Sequence, residues 1–117
     1  MRRCLFLYLL DSHDQGWSDY RRLHGTYNGC WSWFEADVYN ASTGTKTARV
    51  KIQDNLHAIP DFTFHKIIWH RENCENKDIE RLIDALVSGA TLRIFAKARF
   101  GGWANYVMRV QVTIVLE

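Results

Sequence analysis

The chain has 117 residues with a net charge of +2; 47% of the residues are hydrophobic and five are tryptophans. This length is typical of one domain with its own core, and the hydrophobic content excludes an intrinsically disordered protein. Lys and Arg never occur in runs longer than two, which argues against a nucleic-acid partner, and no apolar stretch is long enough to predict a membrane span.

The N-terminal half of the sequence predicts three strands and one long loop. Cys4–Leu10 is almost entirely apolar, which indicates a strand that is central in its sheet or buried on both faces. Asp11–Gly29 is polar and broken by glycines, so we expect a long loop of the kind that often carries function. Trp31–Tyr39 alternates apolar and polar residues, which predicts a strand with one wet face. A hairpin loop over 40–46 then leads to a return strand around Val50.

The C-terminal half predicts three further strands and one helix. Phe62–Trp69 carries bulky side chains on both faces, which favours an interior strand. Asn76–Ser88 has apolar residues at helical spacing. Alternation predicts strands over 92–97 and 108–116. Six strands and one short helix, without strand–helix alternation, favour a mainly β protein: an antiparallel β-sandwich or jelly roll in which residues 1–117 form a single domain.

The cysteines and histidines show no pattern of catalysis or metal binding. An odd number of cysteines disfavours a disulfide framework and favours reduced thiols in a cytoplasmic protein; the three are Cys4, Cys30 and Cys74. No two histidines lie at a metal-ligand spacing, so we expect neither a metal nor another cofactor. Nucleophile motifs, marked carboxylate pairs and phosphate-binding glycine loops are missing from the sequence. We therefore expect a protein that is not an enzyme.

Two aromatic segments in predicted loops have the composition of a binding site. Indole rings offer flat apolar faces that stack on a sugar ring, and short polar side chains supply directional hydrogen bonds. We predict that the two segments meet at one end of the sandwich and bind a ligand through six residues: His13, Asp14, Gln15, Trp17, Trp103 and Asn105. The alternative is that the rings close the core and the polar groups pin the loops. A further pair, Trp31 and Trp33, is interpreted as core.

Six segments of the chain carry a resemblance to a known family: His13-Asp14-Gln15-Gly16-Trp17-Ser18, Gly25-Thr26-Tyr27, Trp31-Ser32-Trp33-Phe34-Glu35, Asn55, Phe62–Trp69 and Gly102-Trp103-Ala104-Asn105-Tyr106-Val107. With them, nearly the whole chain resembles a family of poorly characterised domains from filamentous and mushroom-forming fungi. The resemblance implies a fungal, intracellular protein or one part of a larger multidomain protein.

The layout of the sequence has a second, more distant resemblance. An early Trp-Phe-Glu strand, a late Gly-Trp loop and a final alternating strand are similar to the galactose-binding-like sandwiches of phloem lectins and of F-box sugar-recognition domains. This similarity implies a carbohydrate or glycoprotein ligand at the loop end. Our first hypothesis is a non-catalytic, lectin-like recognition domain. The alternative is a protein-interaction or structural domain without a small-molecule ligand, and a third reading is a small hydrolase or lyase that uses His13 and Asp14.

Overall fold

The computed structural model describes residues 4–73 and 75–116. Two antiparallel sheets and one α-helix form this part of the chain, which confirms the mainly β, sandwich-type fold. Cys74 and the side chain of Cys4, two of the three predicted thiols, lie outside the description. The regular elements follow one another in this order: β1 (Cys4–His13), β2 (Ser32–Asn40), β3 (Thr45–Lys46), β4 (Val50–Asp54), β5 (Thr63–His70), α1 (Lys77–Ala85), β6 (Ala90–Ala98) and β7 (Tyr106–Leu116).

Sheet A contains β1 between β5 and β7, so the N-terminal apolar run is the central strand, as predicted. β1 runs antiparallel to both neighbours and pairs Tyr8 with Ile67 of β5 and with Val112 of β7. Its inner face is fully buried at Phe6, Tyr8 and Leu10. The leucines that alternate with these residues lie on the outer face of the sheet and keep contact with solvent. Only one face of this strand therefore belongs to the core.

Sheet B is built around β2, which pairs with β6 on one side and with β3 and β4 on the other. The predicted alternation holds on this strand, because Phe34, Ala36 and Val38 are buried against sheet A. The opposite face of β2 carries Glu35 and Asp37, which are covered by arginines of the neighbouring strands. Period-two patterning thus predicted the inner face correctly.

The helix closes the core at the side of the sheets but is shorter than predicted. The side chain of Asn76 accepts a hydrogen bond from the backbone N–H of Asp78 at 2.8 Å, which caps the first turn. Leu82 and Ile83 are buried among the residues of the two sheets. The helix ends at Ala85; residues 86–87 are irregular and residues 88–89 form a turn where a last helical turn was predicted.

The prediction that Phe62–Trp69 is an interior strand is wrong. β5 pairs only with β1 and lies at the edge of sheet A. Trp69 points into the core and is buried, whereas Phe64 and Ile68 stand about half exposed on the outer face. Bulk on both faces misled the interpretation because apolar side chains on an outer face are common in folded proteins and need no cover.

Candidate ligand-binding site at the loop end

Asp14 anchors the start of the long loop that joins β1 to β2. Its side chain is fully buried, and its two carboxylate oxygens accept the backbone N–H of Gly16 at 2.8 Å and of Ala58 at 2.6 Å. The second bond ties the loop to the segment between β4 and β5, where Ala58 has a φ of 57°. Since both carboxylate oxygens are engaged by backbone N–H groups, Asp14 shapes the loop.

Gln15 and Gly102 hold Trp17 in place at the surface. The amide group of Gln15 donates to the carbonyl of Trp17 at 2.5 Å, and its oxygen accepts the N–H of Ala104 at 3.1 Å. The indole lies over Gly102, where a Cβ would come within 3.2 Å of the ring carbon Cη2, and the φ of Gly102 is +83°. Both facts require glycine at this position. Trp17 is nevertheless 58% exposed.

Trp103 reaches the same end of the molecule but takes a different role. Its ring is half-buried and meets the ring of His57 edge-on, with 5.2 Å between centroids and 76° between planes. Within the described residues no ring contact joins Trp103 to Trp17, although Gly102, the neighbour of Trp103, lies under the Trp17 indole. The two predicted platforms are therefore close together without forming one continuous aromatic surface.

Asn105 belongs to a polar network that joins the two sheets. Its amide group donates to the carbonyl of Trp33 at 3.0 Å, and its oxygen accepts from the amide of Asn55 at 3.0 Å. Asn55 is buried, donates to the hydroxyl of Ser32 at 2.9 Å and accepts from that of Ser12 at 2.6 Å. Because every polar atom of the Asn105 side chain has a protein partner, this residue positions the Gly-Gly-Trp turn.

His13 lies at the end of β1 in an aromatic cluster. Its ring stacks on Tyr106 with 4.9 Å between centroids and meets Phe62 edge-on at 4.6 Å. Its Nδ1 lies 2.5 Å from the carbonyl oxygen of Asp14 and donates to it. Tyr106 and Phe62 are about half exposed, so the cluster extends the aromatic surface of the loop end.

A hydrogen-bonded pair, the half-buried Ser18 and the buried His57, was missed by the sequence analysis. His57 Nδ1 donates to the carbonyl of Asn28 at 2.8 Å, so Nε2 is free to accept the hydroxyl of Ser18 at 2.5 Å. The order hydroxyl, imidazole, oxygen is that of a catalytic triad; here the His57 side chain is fully buried, whereas Ser18 keeps some contact with solvent. We interpret the pair as a hydrogen bond that links two loops. Nothing in the sequence signals it, because its members lie 39 positions apart.

The long loop also encloses a cavity that the predicted site did not include. A 3₁₀ turn over Arg21–Leu23 shapes this cavity, and Tyr20 beside it is 63% exposed. Its volume is about 520 Å³, and it is lined by five consecutive residues: Asp19, Tyr20, Arg21, Arg22 and Leu23. Three of these residues are charged, but the surface that they turn to the cavity is mainly apolar. The two adjacent arginines, one of the two-residue basic runs in the sequence, are the signal that could have pointed to this cavity.

The interpretation of Trp31 and Trp33 as core residues is wrong. Trp31 is exposed and meets the ring of Phe100 edge-on at 5.0 Å. Trp33 lies half-buried on the outer face of sheet B, where its indole N–H donates to Glu35 at 3.0 Å. Their shared face is the one turned away from sheet A, since Ser32 between them and Phe34 after them are buried.

Cys30 lies buried near the loop end. Burial raises the pKa of the Cys30 thiol, although hydrogen bonding to Ser32 opposes this; the nearby Asp14 carboxylate raises it further. Cys30 is free and buried, so it stays a protonated, unreactive thiol at neutral pH.

Residues 4–73 and 75–116 contain no group of three His, Cys, Asp or Glu side chains that could hold a metal ion. In the same part of the chain, no helix is long and apolar enough to span a bilayer.

Comparison of the chain with protein-family models, with curated proteins and with solved structures finds no match. The candidate site is therefore described from its own geometry. The loop end combines one exposed indole that packs on Gly102, an open and mainly apolar cavity, and several half-exposed rings. Five of the six predicted residues, all except Trp17, make internal contacts that shape this end, and their role in ligand binding stays a prediction.

Proposed function

We propose that this chain is a non-catalytic recognition domain that binds a carbohydrate, free or on a glycoprotein, in the manner of a lectin. The observation that carries the proposal is Trp17, whose indole is more exposed than buried and yet packs on Gly102, while Gln15 holds the backbone carbonyl of the same residue. Large aromatic rings normally gain stability by burial, so an exposed ring with a fixed position is suited to stacking on a ligand. Because the ring is ordered before binding, little conformational freedom is lost when the ligand arrives.

The cavity next in sequence to Trp17 supports the same function. Its volume of about 520 Å³ is adequate for a small sugar unit. Asp19 can accept hydrogen bonds from sugar hydroxyls, and Arg21 and Arg22 can donate to them. In this proposal Asp14, Gln15, Trp103, Asn105 and His13 act mainly by positioning the loops, and Trp17 makes the stacking contact. The galactose-binding-like jelly-roll layout and a cytoplasmic location belong to the same proposal.

A protein partner is the second candidate, and one observation favours it. Exposed aromatic side chains spread more widely over the loop end than a single sugar ring requires; they include Trp17, Tyr20, Tyr27, Phe62 and Tyr106. Aromatic rings on a surface are frequent anchors of protein interfaces. A partner that covers this end would use the same indole, so both candidates depend on Trp17 and differ in the ligand.

A glycan array probed with the wild-type chain, Trp17→Ala and Trp31→Ala tests the proposal. Trp31 is a matched control because it is also an exposed indole but does not contact Gly102. We expect Trp17→Ala to weaken glycan binding roughly tenfold or more, since the loss of one stacking contact of about 1.4 kcal/mol has that effect. Trp31→Ala should bind as the wild type does. Melting temperatures of all three chains should be similar, because neither indole is in the core.

A third variant, Gly102→Ala, tests whether glycan binding depends on the position of the Trp17 ring as well as on its presence. The added methyl group would push against the Trp17 ring at 3.2 Å and would be strained at a φ of +83°. We expect this variant to lose glycan binding while Trp17 is still in the chain. Glycan binding that survives Trp17→Ala would overturn the proposed site. Absence of any bound glycan, together with a purified protein ligand whose binding is lost in Trp17→Ala, would establish the second candidate in its place.

A further inference from the structure

β7 forms a long free edge of sheet A. It pairs with β1 from Tyr106 to Leu116, and no strand of the described part of the chain pairs with its other side. The backbone N–H and C=O groups along that side are therefore available to another strand. An edge of this length is a template for pairing with a second chain unless the sequence protects it.

The core is also incompletely covered beside β7. Val110 pairs with Leu10, and Ile114 pairs with Phe6, so these valine and isoleucine side chains share the inner face of sheet A. Leu10 and Phe6 are fully buried, but Val110 is 39% and Ile114 38% exposed. The sandwich thus stays open along β7, where one more strand would cover apolar surface.

The sequence protects the corresponding edge of sheet B but not β7. β6 carries Arg93 and Lys97, and charges on an edge strand disfavour pairing with other chains. Among residues 106–116, Arg109 is the one charged side chain, and its Nε donates to Asp11 at 2.8 Å. β7 also lacks proline. Its edge is therefore long, apolar on the inner face and nearly neutral.

We propose that β7 pairs antiparallel with β7 of a second copy of this chain, about a two-fold axis at Val112. In this register Val110 faces Ile114 of the partner subunit, Gln111 faces Thr113 of the partner subunit, and Arg109 faces Val115 of the partner subunit. Apolar groups meet apolar groups, and no like charges meet. Two three-stranded sheets become one sheet of six strands.

A second copy fits this edge better than an unrelated peptide because the strand is complementary to itself. A two-fold contact uses the same surface on both subunits and closes after two copies, so the free edge is consumed without fibre formation. The antiparallel arrangement points the two loop ends in opposite directions. Dimer formation therefore leaves both Trp17 surfaces open, and the inference is independent of the proposed ligand.

Analytical ultracentrifugation of the full chain over a wide range of concentration tests the pairing. We expect a monomer–dimer equilibrium for the wild type. Gln111→Lys with Thr113→Lys places lysines opposite lysines across the axis, which should weaken the dimer roughly tenfold or more. Both positions are exposed on the outer face, so circular dichroism and melting temperature should show an intact fold.

Two matched variants make the test specific to the register. Gln111→Glu with Thr113→Lys places opposite charges across the axis, and this double variant should dimerise at least as well as the wild type. Ser42→Lys with Ser88→Lys adds the same charge at exposed positions away from β7 and should dimerise normally. A wild-type chain that stays monomeric, a dimer that is unaffected by the lysines at 111 and 113, or an open series of larger assemblies would each overturn the proposal.

Discussion

The outer face of sheet B is covered by the chain's own charged side chains, whereas the outer face of sheet A presents apolar side chains to solvent. On sheet B, both oxygens of the buried Asp37 carboxylate are bound by Arg93 at 2.7 Å, and the guanidinium of Arg49 lies 3.8 Å from the centre of the Phe95 ring. On sheet A, Phe64 and Ile68 stand about half exposed. The outer face of sheet B is thus covered by side chains of the same chain, whereas the outer face of sheet A leaves apolar side chains exposed.

This difference separates two sources of stability. A buried carboxylate is tolerated only while its hydrogen bonds and its countercharge are present, so the face of sheet B is sensitive to single substitutions. Apolar side chains that remain exposed contribute little to the free energy of unfolding. Substitutions on the outer face of sheet A should therefore change it little, as long as no partner covers this face. The comparison can therefore be tested by single substitutions on either face.

Arg93→Ala should have the largest effect, because it leaves the fully buried Asp37 with only Arg49, whose Nε is 3.7 Å away. Asp37 is fully buried but Arg93 is partly exposed, so the unfolding free energy should fall by less than the loss of a fully buried pair would cost and by more than the loss of an exposed pair. Urea denaturation measures the loss. Arg93→Lys keeps the charge but not the two-pronged geometry, so its loss should be smaller. A loss for Arg93→Ala below about 1 kcal/mol, the value typical of exposed pairs, would show that the face is not sealed.

Glu35→Gln should have an intermediate effect that depends on pH. Burial tends to raise the pKa of Glu35, but hydrogen bonds from Trp33 and Arg49 outweigh it, so the net pKa lies below its ordinary value of 4.5. A carboxylate with a lowered folded pKa stabilises the protein fully above its ordinary pKa, and that contribution disappears as the pH falls through the folded value. We expect Glu35→Gln to be about 1 kcal/mol less stable than the wild type at pH 7.

The pH series of unfolding free energies provides the check on Glu35. The difference between wild type and variant should stay constant from neutral pH down toward 4.5 and should shrink below it. A difference that persists at low pH would mean that the glutamine is unfavourable for a reason other than lost charge. Arg49→Gln removes the same ion pair from the other side and should reproduce the acid behaviour.

Much of the fold could be predicted from periodicity alone. Alternation identified the core face of β2. The apolar run predicted β1 as either central in its sheet or buried on both faces, and the structure has the first of these. The exposed position of β5 could not be predicted in this way. Its outer residues Phe64 and Ile68 are of the same residue types as core residues, and only the folded structure shows that both stay about half exposed, with the Arg109 guanidinium over the Phe64 ring.

The candidate site was less accessible to sequence reasoning for a related reason. The two loop segments could be found by composition. Which of their residues hold the loops in place and which face solvent depends on contacts between distant positions. Gln15 reaches Ala104, 89 positions away, and Asp14 reaches Ala58, 44 positions away. A polar residue that binds a ligand and one that binds a backbone N–H look the same in a sequence. The exposed indole of Trp17 could be nominated, whereas the internal bonds of its neighbours could not.

Ile68→Thr should have the smallest effect and gives the sharpest test of the sheet A face. Threonine keeps the β-branched shape that a strand favours, and Ile68 is already 51% exposed, so we expect a change within about 0.5 kcal/mol. Ile52→Thr is the matched control on the inner face of sheet B; it buries a hydroxyl and should lose about 2 kcal/mol. Neither residue belongs to the β7 edge, so the concentration dependence of unfolding should not change. A large loss at Ile68 would require that this face is covered in solution, because an exposed side chain has no packing to lose.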